Sequence, residues 1–352
     1  MEVNQQARNL ASKSRSRRVS WIDWIVDQID RLPGPVAVPY VFLFLAPILL
    51  LAMPIWINGQ AISIENLRYY ILVGFWTLFP LALMHHLDTF SERALEQFEP
   101  VCDMDETELS IVRWELTTMP AGPAAVAGFA GVGVILGFRY FAPQLFQVVQ
   151  FTPTQSTLAL IILCVNFAFQ ATLIYHTFRQ LNLVSRIYRH AQLLDLFNLS
   201  PLYAFSALAA RTAIAWALAL YLTALIFPQV LRNSVTVGLT IFQVVLLFAV
   251  FTLPLAGIHQ RIQSAKSKAL QEVGTSLNRI LRELNHRAQN YSFDDVDVLN
   301  RLFASLNTGR DILSKVPTWP WSPGTPLTVA TALFLPVILF VIERLLLGML
   351  GL

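Results

Sequence analysis

An all-α, polytopic membrane protein is the fold class this sequence predicts, with about seven transmembrane helices and a cytoplasmic helical hairpin. Three observations lead there. Over its 352 residues the chain is 55% hydrophobic and only 13% charged, about half the charge of a typical soluble domain. Its apolar residues gather into runs near the ~20 residues that cross a bilayer as helix, and they do not alternate as barrel strands would. The segments between the runs carry their basic residues overwhelmingly on one side.

The runs place spans at 38–57, 69–86, 121–142, 155–178, 206–228, 235–258 and 325–348. Of the 25 lysines and arginines, only Arg68, Arg139, Arg232 and Arg344 fall on the side opposite the N-terminus. That asymmetry puts the N-terminus in the cytoplasm and the C-terminus outside. The expected organisation is a basic tail and interfacial helix at 1–37, a six-helix bundle at 38–258, a hairpin at 259–324 and a final span within 325–352. The expected home is a bacterial plasma membrane. Cys102 and Cys164 are the only cysteines. They do not suggest a disulfide framework.

The N-terminal basic residues, Lys13, Arg15, Arg17 and Arg18, lead into a stretch that Ser20 can cap, with Asp23 three residues on. Trp21, Trp24, Ile25, Ile29 and Leu32 recur at helical spacing, with Asp23, Asp27 and Asp30 on the other face. This reads as an interfacial helix anchored by Trp21 and Trp24, its leader facing anionic lipid. An ordinary packed helix is the alternative.

Segment 87–120 carries nine carboxylates, from Asp88 to Glu115, against Arg93 and Arg113 alone. Pro100 divides it into two short helices, the second capped by Asp103. The spaced acids and central glycine of a calcium loop are missing. The outgoing arm of the hairpin is basic between Arg261 and Arg287, so the acidic segment is expected to dock beside it through Ile111 and Trp114. Exposed charge pairs contribute only ~0–1 kcal/mol each, so an apolar seam must supply most of the docking energy.

That seam is Ile258, Ile262, Ala265, Ala269, Val273, Leu277, Ile280 and Leu284, stepping by four and three residues as a coiled-coil-like stripe does. A turn near Gln289 leads to a second helix capped by Ser292, with Leu299, Leu302, Phe303, Leu306, Ile312 and Leu313 as its apolar face. Trp319 and Trp321 suit the interfacial aromatic belt before the last span. The hairpin lacks clustered aromatics for base stacking, so no nucleic-acid partner is expected. A protein partner or a second copy of the chain is.

Three constellations carry the candidate chemistry. His85 and His86, His176 and His259 sit near the inner ends of the inward-running spans, with Asp88 close by. Imidazoles plus a carboxylate can bind zinc and activate a water. In span number and orientation the chain is similar to adiponectin-receptor and haemolysin-III-like membrane hydrolases. Those carry a paired histidine motif in the last span that is absent here, so no family follows. Histidines snorkelling at wet helix ends are the alternative reading.

Asn166, Gln170 and Gln243 are polar residues within spans. They would line a path or, as the better reading, act as interhelical glue. Ala124 with Gly128, and Gly133 with Gly137, are small-residue pairs that permit close helix approach. Pro47, Pro80, Pro254 and Pro336 interrupt four spans.

The spans hold no mid-membrane Asp, Glu or Lys, which disfavours an ion-coupled pump. The sequence contains no GxxxxGK[ST], GxSxG, HExxH or CxxC, so no cofactor is expected. These absences favour a non-enzymatic scaffold, sensor or regulatory subunit. A channel or transporter is the alternative, and a membrane metalloenzyme the second.

Overall fold

The computed structural model describes residues 19–146, 151–188, 196, 198–228, 234–290, 296–322, 324–332 and 334. The basic leader, the expected Ser292 cap, Pro336 and most of the last span lie outside them. Among the described residues the chain is helical, with no strand beyond a single backbone bridge between Val19 and Pro120. The helices among the described residues run in order α1 (Trp21–Arg31), α2 (Ala37–Ile57), α3 (Ile64–Phe98), α4 (Glu106–Thr117), α5 (Ala121–Phe141), α6 (Pro153–Ile187), α7 (Ser200–Ile226), α8 (Ser234–Gln289) and α9 (Val296–Lys315), and residues 325–332 are also helical.

Among the described residues, five stretches are long and apolar enough to cross a bilayer: α2, Ile64–Val101, α5, α6 and α7. This is compatible with an integral membrane protein. Two of them exceed their apolar runs. α3 and α6 are each 35 residues long, about 50 Å at 1.5 Å per residue against a ~30 Å hydrocarbon core. Beyond His86, α3 continues because Leu87, Ser91, Ala94, Leu95 and Phe98 keep a buried face at helical spacing.

The first half of the acidic segment is therefore not a separate short helix but the end of α3. A 3₁₀ turn, Glu99–Val101, follows at Pro100. The second half is α4, and its cap is Asp105 rather than Asp103: the Asp105 carboxylate accepts from the Glu108 amide at 2.7 Å.

α3 and α6 form the centre of the bundle. α2 and α7 pack on α3, α5 packs along α6, and α8 touches α6 and α7. Close approach of α5 to α6 requires Gly131, where a Cβ would lie 2.2 Å from the Phe167 carbonyl oxygen. Gly74 gives α2 the same access to α3, facing the Phe44 carbonyl. The expected small-residue pairs behave differently from each other. Gly133 and Gly137 face open space, whereas Gly128 faces the Trp21 indole.

α1 corrects two expectations. Ser20 does cap it, accepting from the Asp23 amide at 3.1 Å. Trp21, however, is a packed residue. Its indole stacks on Phe169 at 5.6 Å and donates to the Ala124 carbonyl at 3.3 Å. Asp23 does not join the solvated face, because its carboxylate accepts from the Met119 amide at 2.7 Å. Ile22 is fully buried, while Trp24 is exposed.

The seam on α8 is inward-facing throughout, with Ile258, Ile262, Leu277 and Ile280 buried. α9 packs back along it. Lys266 donates to the Ser314 and Val316 carbonyls at 2.7 and 2.8 Å, and His259 lies 3.0 Å from the Thr318 carbonyl. The apolar face of α9 is narrower than expected: Leu313 is buried, but Leu302 and Ile312 are exposed.

The acidic α4 packs on α3 and α6, not along the basic arm. Arg186 of α6 pairs with Glu115 at 3.4 Å, and Arg179 donates to the Glu115 carbonyl. Cations thus meet the carbonyl end of α4, where the helix dipole favours them.

Candidate functional site

Between α3, α5, α6, α7 and α8 lies a cavity of about 540 Å³. Its wall is mostly apolar: Trp76, Phe138, Phe167, Trp216 and Leu220 contribute. All three span amides reach it: Asn166 and Gln170 from α6, and Gln243 from α8. Asn166 is also glue. Its side-chain oxygen accepts from the Thr77 hydroxyl at 2.7 Å and its amide donates to the Val73 carbonyl at 3.1 Å, tying α6 to α3. Trp76 donates to the Thr223 hydroxyl at 3.0 Å, joining α3 to α7.

A mainly apolar chamber with a few fixed polar groups is the usual form of a small-molecule site. The aromatic wall was not assigned from the sequence. Trp76 and Trp216 sit in uniformly apolar runs, where periodicity cannot distinguish a cavity face from a lipid face.

The histidines do not converge. His176 of α6 is buried, with Nε2 3.2 Å from the Asp88 carboxylate of α3. His85 shares a 2.7 Å hydrogen bond with the Tyr40 hydroxyl and lies 3.5 Å from Asp30. His86 stacks on Phe90. His259 stacks on Trp319 at 4.1 Å, and Trp319 on Trp321 at 4.7 Å, so these tryptophans are tied to α8. Among the described residues no three His, Cys, Asp or Glu side chains come together as a metal site needs.

Asp23 sits beside the Asp88–His176 pair. Burial pushes its carboxyl above the ordinary value of 3.8, with the Met119 amide and Ser20 hydroxyl pulling the other way. A raised carboxyl pKa means the folded state holds its proton more tightly, so stability falls as pH rises through that range. Asp23→Asn removes this loss. Relative to the native chain, the melting temperature of Asp23→Asn in detergent is expected to rise as pH is raised above the ordinary carboxyl value of 3.8. A relative gain that shrinks as pH rises would contradict the assignment.

No family model matches the chain, and neither the curated proteins nor the solved structures include a significant match to it. The functional reading therefore rests on its own geometry.

Proposed function

We propose that this is a non-enzymatic membrane sensor or regulatory subunit, in which occupancy of the intramembrane cavity is passed to a cytoplasmic helical hairpin. The observation that carries the reading is the continuity of α8. Its first turns give Thr240, Gln243 and Leu247 to the cavity wall, and the same 56-residue helix runs on to Gln289 with α9 packed against it. A helix of that length spans at most about 84 Å; it runs unbroken past Pro254, so a change at the cavity has a continuous route to the far arm. The apolar wall suits an apolar or amphipathic molecule. Exposed Val298, Leu302 and Ile312 on α9 suit a protein partner or a second copy of this chain.

The proposal includes seven spans, with 235–258 and 325–348 as the sixth and seventh, and a cytoplasmic N-terminus in a bacterial plasma membrane. The basic leader would then face anionic lipid. Cysteines introduced at Gln60 and Thr154 are expected to react with an impermeant thiol reagent applied from outside. Protection at both positions, with labelling only after lysis, would reverse the topology.

The sensor reading is tested by purifying the chain in mild detergent and identifying what co-purifies. Gln243→Trp, which fills the cavity, is expected to displace a co-purifying apolar molecule and to change hydrogen exchange across 259–315. Unchanged exchange in that arm would sink the coupling.

A channel or transporter is the second reading, favoured by the three amides lining one cavity. Solute flux into proteoliposomes that Gln243→Leu abolishes would put it ahead.

A further inference from the structure

A second pocket, of about 320 Å³, lies where α2 and α7 flank α3. Its chemistry is opposite to that of the large cavity. α3 contributes Ala82, His85, His86, Thr89, Phe90 and Arg93, at steps of three and four residues, so one helix face looks into the groove. α2 adds Tyr40 and α7 adds Arg211. The Arg211 guanidinium lies over the Phe90 ring at 3.9 Å. That contact fixes its plane while leaving its N–H fork to bind. Neither Arg93 nor Arg211 forms an ion pair with a carboxylate among the described residues. The one carboxylate paired at the pocket is Asp30, on the far side of His85 from Tyr40, and it holds an imidazole rather than an arginine.

We propose that this pocket binds the phosphate of an anionic phospholipid headgroup. Two arginines carry the charge, and the His86 imidazole can add a ring N–H to the same anion, while the Thr89 hydroxyl is committed to the His85 carbonyl at 3.2 Å. A lipid is preferred to a soluble phosphate because of what continues from Arg211. Leu218, Leu222 and Leu225 follow it at seven, eleven and fourteen residues, the spacing of one helix face, and all three are exposed. α2 presents Phe42, Leu45 and Leu49, also exposed, on the other flank. A phosphate held at Arg211 would thus have its acyl chains laid along an apolar helix surface. This site is separate from the large cavity, and its failure would leave the sensor reading standing.

The test uses the full-length chain, delipidated in neutral detergent and titrated with phosphatidylglycerol, phosphatidylcholine or inorganic phosphate. Phosphatidylglycerol is expected to bind at least about tenfold more tightly than phosphatidylcholine. Arg93→Gln and Arg211→Gln should each weaken it about fivefold, and the double variant about thirtyfold. Arg211→Lys, which keeps the charge and loses the fork, should fall between native and Arg211→Gln. Both arginines are exposed, so the variants are expected to elute and melt as the native chain does. If the double variant fails to fold, the single variants and Arg211→Lys decide the matter. Equal affinity for the two lipids, or phosphatidylglycerol binding indifferent to both arginines, would overturn the site. Inorganic phosphate binding through the same arginines without a lipid preference would give the pocket to a soluble anion and overturn the lipid assignment.

Discussion

Gly131→Ala is expected to be the most damaging single-methyl change in this protein. The added Cβ would lie 2.2 Å from the Phe167 carbonyl oxygen, 2.7 Å from its carbon and 2.9 Å from the Ala171 Cβ. Two of those three atoms are backbone in the middle of α6, and no rotamer moves them. The helices must separate, and α5 packs along α6 for most of its length. Overpacking costs ~1–3 kcal/mol when side chains can yield, so a backbone clash should reach the top of that range or pass it. Gly131 also lines the large cavity, so the same variant should lose whatever molecule the cavity holds. Gly133→Ala and Gly137→Ala are the controls. Both positions face open space, and alanine favours a helix over glycine by about 1 kcal/mol. Melting of the detergent-solubilised variants tests the contrast. A Gly131→Ala protein as stable as Gly133→Ala would mean that α5 does not approach α6 this closely.

The second large effect is expected at the Asp88–His176 pair. His176 is 1% exposed and the Asp88 side chain 18%. Removing one member of a buried pair strands the other without water and typically costs ~3–5 kcal/mol. Asp88→Ala and His176→Leu should each approach that loss. The double variant Asp88→Ala with His176→Leu should lose markedly less than the two singles together, because no buried partner is left stranded. A double-mutant cycle reads this as a coupling above about 1 kcal/mol. Strict additivity would show that the two side chains do not depend on one another. Asp23 and Arg179 act on the same carboxylate through their charges, so they should shift the coupling more than remote charges do.

How much of this could be read from the sequence depends on what surrounds each residue. The seam of α8 is legible beyond Ile258 because aliphatic residues recur there within an otherwise polar stretch, where burial has one explanation. Within the apolar spans that contrast disappears. Gly128, Gly131 and Gly133 look alike in sequence, yet one receives an indole, one a carbonyl and one faces open space. Trp21 was misread for a related reason: an indole with one polar atom suits a membrane interface and a helix crevice equally. Asn166 was legible as glue because a buried amide must find partners. The pairing of His176 with Asp88, out of five candidate groups, was not, since it depends on how α3 and α6 are rotated against each other. The Arg211 pocket was hidden because its residues come from three helices.

The docking of Trp21 also sets a timetable for synthesis. Its partner, the Ala124 carbonyl, lies 103 residues downstream, and two long apolar helices must be made in between. At ~5–20 residues per second, about 5–20 s pass before that carbonyl exists. Through that interval α1 has an indole and a buried isoleucine face with nowhere to pack. The membrane surface is the nearest apolar phase, and the exposed Trp24 is suited to hold the helix there. The helix is therefore a late-closing element in assembly, made before its partners and fully seated only once α5 and then Phe169 of α6 have arrived.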